Sequence, residues 1–159
     1  MNKSALSARV REKYYLYEQA VQSPEVHVKW FHDTYRELRG KKPLQLREDF
    51  CGTFSLSTEW VKFAPKNRAL GLDLDPEPLA YGKATHLARL TAEQKKRVQI
   101  LRKNVISKTG PTSDIAIACN FSFCTFRDRE TLLNYFRSVR QSLKSDGVFM
   151  LDLVGGPGM

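Results

Sequence analysis

A loop with chemically useful side chains lies at residues 48–54, where the sequence reads EDFCGTF between a predicted strand and a predicted helix. Gly52 lets the backbone pass close to a ligand, and the amides around residues 53–55 point toward an anion or a carboxylate. Asp73 ends the next predicted strand, about 20 residues after the glycine loop, where a carboxylate commonly binds the hydroxyls of a ribose. Together these two features predict a site for a nucleoside-containing cofactor.

The side chains around Gly52 distinguish between two kinds of cofactor. A dinucleotide carries a pyrophosphate, which binds to a loop of the form G-x-G-x-x-G. Phe50 and Phe54 would crowd a pyrophosphate in this loop, and Glu48 and Asp49 would repel it. A cationic cofactor without phosphate reverses this logic, because acids attract it and aromatic walls stabilise it. The loop therefore favours a cationic nucleoside, with the two phenylalanines as aromatic walls.

The elements that must position these residues alternate between strand and helix. The sequence pattern predicts strands at 43–48, 68–75, 98–102, 114–121 and 147–154. It predicts helices at 4–20, 23–39, 55–64, 75–90 and 129–147. This order indicates an α/β fold, a doubly wound and mainly parallel sheet of about five strands with helices on both faces. Ligands of such sheets bind beyond the carboxyl ends of the strands, so every loop after a strand is a candidate wall of the site.

Several residues carry local predictions. Gly40 is expected to end the second helix, and Asp75 is expected to cap the fourth, with Pro76 at its first position. Trp30 and Trp60 are interpreted as core residues.

Composition narrows the class of protein. The chain has 159 residues and 42% hydrophobic content, enough for one domain with a core. No segment is apolar for about 18 residues, and the N-terminus lacks the apolar core of a signal peptide. Cys51, Cys119 and Cys124 show no metal-ligand spacing, and three scattered thiols favour a reducing compartment. We therefore expect a cytoplasmic protein without a membrane span or a metal site.

The charge leaves two interpretations open. The formal net charge of +9 favours polyanionic partners, RNA above all. The basic residues are spread along the chain, however, and lack the aromatic pattern of single-strand binders, which is typical of an ordinary solvated surface.

Four stretches of the sequence resemble motifs of the class I (Rossmann-like) S-adenosylmethionine-dependent methyltransferases, across roughly residues 44–154. The first motif of that family resembles acid-x-G-C-G-T-G; Glu48 matches the acid, and residues 51–53 match its CGT. Phe50 and Phe54 stand where the family has two further glycines. GLDLDPEPL resembles the second motif, DIAIACNFSF the fourth and LKSDGVFMLDL the entry to the fifth strand. S-adenosylmethionine fits the loop's chemistry, because it is cationic at sulfur and carries no phosphate.

The resemblance implies a set of binding residues. Asp73 would bind the ribose hydroxyls, Leu74 would lie against adenine, and the side-chain oxygen of Asn104 would accept from the adenine amino group. The implied cofactor-binding set is Glu48, Phe50, Cys51, Gly52, Thr53, Asp73, Leu74, Asn104, Val105 and Asn120. A weaker substrate-binding set, whose members could equally serve as packing residues, is Tyr14, Tyr17, Phe121 and Ser122. No catalytic residue is assigned.

The reaction that the resemblance implies is methyl transfer by in-line displacement at a sulfonium carbon, which depends mainly on positioning. The acceptor is left open between a small molecule and RNA. A non-catalytic domain that binds S-adenosylmethionine or RNA is the alternative function, and a nicotinamide-dependent reductase is disfavoured by the loop.

The implied organisation is an N-terminal helical cap at 1–40 and a Rossmann-like S-adenosylmethionine-binding domain at 41–159. The family usually has two more strands after the fifth, so the second unit is expected to be C-terminally truncated. An unpaired edge on the fifth strand would follow, and we expect it to favour a homodimer.

Overall fold

A five-stranded parallel sheet forms the centre of the molecule. The structure, a computed structural model, describes residues 6–21 and 23–153. The strands are β1 (Gln45–Asp49), β2 (Arg68–Asp73), β3 (Val98–Arg102), β4 (Ser113–Ala118) and β5 (Leu143–Leu151). They are hydrogen-bonded in the order β3-β2-β1-β4-β5, and every neighbouring pair is parallel. The predicted fold class is confirmed, and the strand order reverses beside β1, where ligands of such folds bind.

Six helices surround the sheet in the described part of the chain. They are α1 (Ala8–Val21), α2 (Pro24–Arg39), α3 (Ser55–Phe63), α4 (Pro76–Thr85), α5 (Ala92–Lys95) and α6 (Arg129–Ser142). Two 3-10 turns, Leu87–Arg89 and Ser122–Thr125, complete the connections. Residues 4, 5 and 154, which belong to predicted elements, lie outside the described residues. None of the helices in the described ranges is both long and apolar enough to span a bilayer.

The ends of two helices follow local sequence signals. Gly40 ends α2 in the left-handed conformation, with φ 66°, and its amide donates to the carbonyl of Arg36. The Asp75 side chain accepts a hydrogen bond from the amide of Glu77 and caps α4. Because α4 follows β2 directly, this cap fixes the chain just after Asp73.

Both faces of the sheet are covered. On one face, α2 and α3 pack Val28, Tyr35 and Trp60 against β1 and β4. On the other face, α6 packs Tyr135 and Val139 against residues of β2 and β4. The core prediction holds for Trp60, which is fully buried, and is wrong for Trp30, which is 56% exposed. The helical period explains the error, because Val28, Phe31 and Tyr35 define the buried face of α2 and residue 30 lies off it.

The central strand β1 buries three consecutive charged residues. Arg47, Glu48 and Asp49 are all buried, and alternation along the strand sends Glu48 to one face and the other two to the opposite face. Burial of charge is costly without partners, so the contacts of these side chains constrain the site that follows β1.

The first helix does not join the core packing of the sheet in the way that α2 does. α1 lies against α4, where the ring of Tyr14 packs on Tyr81 at 5.3 Å between centroids. The Lys13 ammonium and the Tyr14 hydroxyl both donate to the Glu77 carboxylate, at 2.7 and 2.9 Å.

β5 lies at one edge of the sheet. Dimerisation through that edge stays a prediction.

Candidate functional site

The loop after β1 takes a left-handed backbone at three alternate residues. Phe50, Gly52 and Phe54 have φ of 54°, 51° and 49°. Residues with a Cβ rarely adopt this region, whereas glycine adopts it readily. The family motif that this sequence resembles has glycine at these three positions. The loop therefore has a glycine-type backbone, although two of the residues are phenylalanine.

Burial of the two rings offsets the strain of this conformation. The Phe54 ring is fully buried against Cys51 and Leu79, and the Phe50 ring packs on Phe126 and Tyr135, each at 5.7 Å between centroids. A left-handed residue costs about 1–2 kcal/mol, and burying an aromatic side chain returns about 1.5–3 kcal/mol. Phe54 therefore does not form an aromatic wall, contrary to the prediction, and Phe50 is only partly exposed.

Asp73 holds the loop by its backbone. Its Oδ2 accepts from the amide of Gly52 at 2.7 Å, and its Oδ1 accepts from the amide of Asp75 at 2.8 Å. Each carboxylate oxygen keeps a further lone pair, so both could accept from a ribose as well. The glycine loop and the acid at the end of β2, which together predicted a cofactor site, are in direct contact through Gly52 and Asp73.

The two sides of the loop differ in the space they leave. A Cβ added to Gly52 would meet no heavy atom within 4 Å. A Cβ added to Gly82 of α4 would lie 2.2 Å from the Thr53 carbonyl oxygen. The loop is therefore packed tightly on its α4 side and open beside Gly52. Cys51 is also on the packed side, with a buried side chain next to Gly71, so only its backbone is available to a ligand.

Glu48 lies buried beneath the loop, on the α3 side of the sheet. Its Oε2 accepts from the amide of Ser57 at 2.9 Å and from the Ser57 hydroxyl. Burial raises the pKa of Glu48 to about 8, and the nearby carboxylates of Asp73 and Asp49 raise it as well, against the hydrogen bonds from Ser57. The carboxyl group is therefore largely protonated at neutral pH, and a cation near it would favour ionisation.

The other two charges of β1 are used inside the protein. The Arg47 Nε donates to Asp49 Oδ1 at 2.7 Å, and its Nη2 donates to the carbonyl of Val105. The Tyr135 hydroxyl donates to the second oxygen of Asp49 at 3.1 Å. Burial raises the pKa of Asp49, and Arg47 acts to lower it. The Arg47 guanidinium is therefore paired inside the protein with Asp49 and the Val105 carbonyl.

The residues predicted to contact adenine lie at the ends of β2 and β3. Leu74 is 57% exposed and offers an apolar surface directly after Asp73. Asn104 is exposed, and its side-chain oxygen already accepts from the amide of Ile106 at 3.0 Å. The Val105 side chain is buried in the core beneath α6, so this residue could reach a ligand only through its backbone.

Helix α1 lies across the strand ends and touches two of them. The Thr53 hydroxyl donates to Glu18 Oε1, and His86 Nε2 lies 2.6 Å from the same oxygen. The Tyr17 hydroxyl accepts from the side-chain amide of Asn120 at 3.0 Å. Sequence reasoning missed Glu18 and His86, because no local spacing connects a residue of α1 with the loop after β1.

The loop after β4 contains two further left-handed residues, Asn120 and Phe121, with φ of 59° and 55°. Their amides donate to the two carboxylate oxygens of Asp152, each at 2.8 Å. Ser122 is turned inward, and its hydroxyl donates to the Cys119 carbonyl at 2.7 Å. Asp152 was also missed, although its position after β5 could have indicated it, since polar residues at strand ends line such sites.

A cavity of about 650 Å³ lies beside the ends of β4 and β5. Most of its lining is apolar and comes from five segments, namely α1, α2, α3, the loop after β4 and β5, and includes Tyr17, Trp30, Phe31, Leu56, Phe121 and Met150. Of the predicted substrate-binding residues, the structure places Tyr17 and Phe121 in this lining. Tyr14 and Ser122 lie elsewhere, the first against α4 and the second against the β4 backbone.

Comparisons with known proteins rest on structure alone, because no family model and no curated relative match the sequence. The sugar N-methyltransferase KedS8 from Streptoalloteichus sp ATCC 53650 matches 99% of this chain and 58% of its own, with a TM-score of 0.73 and 20% identity. The amino pentose methyltransferase CalS10 from Micromonospora echinaspora, with bound S-adenosylmethionine, matches 98% of this chain and 61% of its own at a TM-score of 0.72 and 18% identity. The glycopeptide N-methyltransferase MtfA, complexed with S-adenosylmethionine, matches 81% and 54% at a TM-score of 0.66 and 16% identity.

These similarities establish the class of fold. The chain has the class I S-adenosylmethionine-dependent methyltransferase fold, with the sheet order and the loop after β1 described above. It spans a little over half the length of these solved structures, between 54% and 61%. Sequence identities of 16–20% to these structures show a shared fold and do not show a shared activity.

Proposed function

We propose that the protein binds S-adenosylmethionine and transfers its methyl group to a small-molecule acceptor. The observation that carries this proposal is the loop after β1. Its backbone is left-handed at residues 50, 52 and 54, it is open beside Gly52, and it is held by Asp73 at the end of β2. The solved structures of the same fold with bound S-adenosylmethionine add support.

The residues present fit this cofactor by charge and by shape. The Asp73 carboxylate contacts the loop, a nearby cation would favour ionisation of Glu48, and the guanidinium of Arg47 is paired with Asp49, which suits a cationic cofactor that carries no phosphate. We assign the ribose to Asp73 and the adenine face to Leu74. The backbones of residues 50–53, together with Asn104, Val105 and Asn120, would form the remaining walls.

When bound, S-adenosylmethionine supplies an electrophilic methyl group on a positively charged sulfur. The chain's own residues hold and orient the reactants and exclude water, which can supply much of a rate enhancement. Helix α1 would exclude water, because hydrogen bonds from Thr53 to Glu18 and from Asn120 to Tyr17 hold it over the strand ends. In this proposal residues 1–40 cover the site, and residues 41–159 bind the cofactor.

A small-molecule acceptor is favoured over RNA by the cavity beside β4. Its described lining contains no lysine and no arginine, the side chains that bind phosphate. MtfA, KedS8 and CalS10 are named for glycopeptide, sugar and amino pentose substrates, which are not nucleic acids.

Replacing Gly52 by alanine is expected to weaken S-adenosylhomocysteine binding by at least about tenfold, because the added methyl group enters the open side of the loop. Gly40→Ala is a matched control, since Gly40 also has a positive φ and open surroundings but ends α2. Both changes should cost about 1 kcal/mol of folding free energy. Calorimetric titration and urea unfolding of the two variants measure these effects.

Equal binding by the Gly52 and Gly40 variants would contradict the assignment of the loop. A loss of binding in both, with matching losses of stability, would show that the ligand reports only on folding.

Replacing Asp73 by alanine is expected to weaken S-adenosylhomocysteine binding by about 1–3 kcal/mol, through loss of charged hydrogen bonds to the ribose. Asp73 also holds the Gly52 amide, so the variant should be titrated with the 2′-deoxy analogue of the ligand as well. If Asp73 binds the ribose, the variant loses more affinity for the natural ligand than for the analogue. Equal losses would reduce Asp73 to a loop anchor.

A further inference from the structure

The cavity beside β4 and β5 is joined to the proposed cofactor site by one residue pair. Asn120 belongs to the residues assigned to the cofactor and also lines the cavity. Its side-chain amide donates to the hydroxyl of Tyr17, which lines the cavity from α1. A molecule in this cavity would therefore lie next to the end of β4, beside the proposed cofactor.

The lining of this cavity contains several large apolar side chains that are exposed to solvent. Trp30 is 56% exposed and Phe121 is 42% exposed, and Val21 and Leu151 are about as exposed as Phe121. All four line the same cavity. Exposed apolar groups concentrated around one concave site indicate a binding site, and a volume of about 650 Å³ is in the range of small-molecule pockets. The body of the ligand is therefore apolar.

The charge of the cavity has one sign. Asp152 is the only formally charged residue in its described lining. Burial raises the pKa of the Cys119 thiol, another lining residue, to about 12, and the nearby acids Glu48 and Asp152 act in the same direction. Phosphates and carboxylates would be repelled from this cavity, whereas a basic nitrogen would be attracted.

A second polar group lies on α2. His27 lines the cavity, and its Nδ1 is buried without a hydrogen-bond partner among the described residues. The ring is held by stacking on Phe31, with 6.2 Å between centroids. Since this nitrogen has almost no accessible surface, the ring contributes its aromatic face to the lining rather than Nδ1.

From these observations we infer that the cavity is the acceptor site and that the acceptor is a hydrophobic amine without phosphate or carboxylate groups. This inference rests on the proposed function, which supplies the methyl donor. An ammonium form first loses a proton to water. The lone pair of the neutral nitrogen then forms a bond to the methyl carbon, and the carbon–sulfur bond breaks. Its electron pair stays on sulfur as a neutral thioether, and a remaining proton on nitrogen leaves to water.

The test uses three probes with the same ring system and different charges: 2-naphthylmethylamine, 2-naphthylmethanol and 2-naphthyl phosphate. The amine is expected to bind at least about tenfold more tightly than the phosphate, with the alcohol between them. The location is read from the indole N–H signals in a nitrogen–proton correlation spectrum. The Trp30 signal should shift on titration, and the signal of Trp60, which is fully buried and donates to the Leu44 carbonyl, should not.

Two variants test independently where the amine binds. Trp30→Ala should weaken binding of the amine by about tenfold, because it removes a large apolar contact. Leu133→Ala removes a similarly exposed apolar side chain on α6, away from the described lining, and should leave binding unchanged.

The outcomes separate the inference from the proposed function, because S-adenosylhomocysteine binding is measured by itself. Binding of S-adenosylhomocysteine together with tighter binding of the phosphate, or with no amine-induced shift of Trp30, overturns the inference and leaves the proposed function intact. Amine binding at Trp30 and N-methylated amine in the mass spectrum after incubation with S-adenosylmethionine support both. Amine binding without any S-adenosylhomocysteine binding overturns the proposed function and the acceptor role with it.

Discussion

Replacement of Arg47 by alanine is expected to lower the free energy of unfolding by about 3–5 kcal/mol, which is a large part of the stability of a domain of this size. Arg47 and Asp49 form a fully buried ion pair in the central strand, at 2.7 Å, and no water reaches either side chain. Without the guanidinium, Asp49 keeps only the Tyr135 hydroxyl as a described side-chain donor and its charge is buried without compensation. Urea unfolding at neutral pH measures the loss.

Two further variants identify the cause. Arg47→Met combined with Asp49→Asn removes both charges and nearly keeps the volume, so most of the lost stability should return. Lys96→Ala breaks the exposed pair between Lys96 and Glu93 and should change stability by less than about 1 kcal/mol. A cost below about 1 kcal/mol for Arg47→Ala would mean that the pair is not buried in solution.

Replacement of Glu48 by glutamine is expected to raise stability at alkaline pH. In the unfolded chain this carboxyl titrates near 4.5, and in the folded protein its pKa is raised to about 8. Between these values the unfolded chain has released the proton and the folded protein has kept it, so the stability of the wild type falls as pH rises. Each unit of the window is worth about 1.4 kcal/mol, so the full effect is several kcal/mol.

The measurement is the free energy of unfolding of both proteins from pH 4 to pH 9. The difference between variant and wild type should be small at the acid end, grow through the window and level off above about pH 8. Glu93→Gln, at an exposed glutamate of α5, provides the control and should show no such growth. A constant difference across the whole range would mean that Glu48 is ionised in the folded protein at neutral pH.

Much of the fold could be predicted because its signals are local. The strand at 98–102 has the same bounds in the structure, and the ends of α2 and α4 follow from Gly40 and Asp75. The prediction for Trp30 was wrong because it followed the apolar residue type, whereas the helical period of α2 places residue 30 off the buried face. α5 was overlooked because it has only four residues, although Thr91 and Gln94 form a capping box at its start.

The loop after β1 could be predicted only in part. The acid, the glycine and the spacing to Asp73 are visible in the sequence. The backbone at Phe50 and Phe54 is not, because left-handed phenylalanine is stabilised only by the distant residues that bury its ring. For the same reason the sequence suggested that Phe54 faces a ligand, when α4 and the core hold it inside.

Contacts between distant segments account for the rest of what was missed. Glu18 meets Thr53 and His86 from α1, and Asp152 holds the amides of Asn120 and Phe121 from beyond β5. Nothing in the spacing of these residues along the chain specifies that they meet. Their contacts follow from the sheet order, which places the carboxyl ends of β1, β4 and β5 at the same end of the sheet.

The most direct test of the proposed cofactor site is calorimetric titration of the wild-type chain with S-adenosylhomocysteine and, separately, with NADH. The loop predicts saturable binding of the first ligand, no heat with the second, and a loss of the first in Gly52→Ala but not in Gly40→Ala. A folded wild-type protein that gives no heat with S-adenosylhomocysteine, or that binds NADH instead, would contradict it.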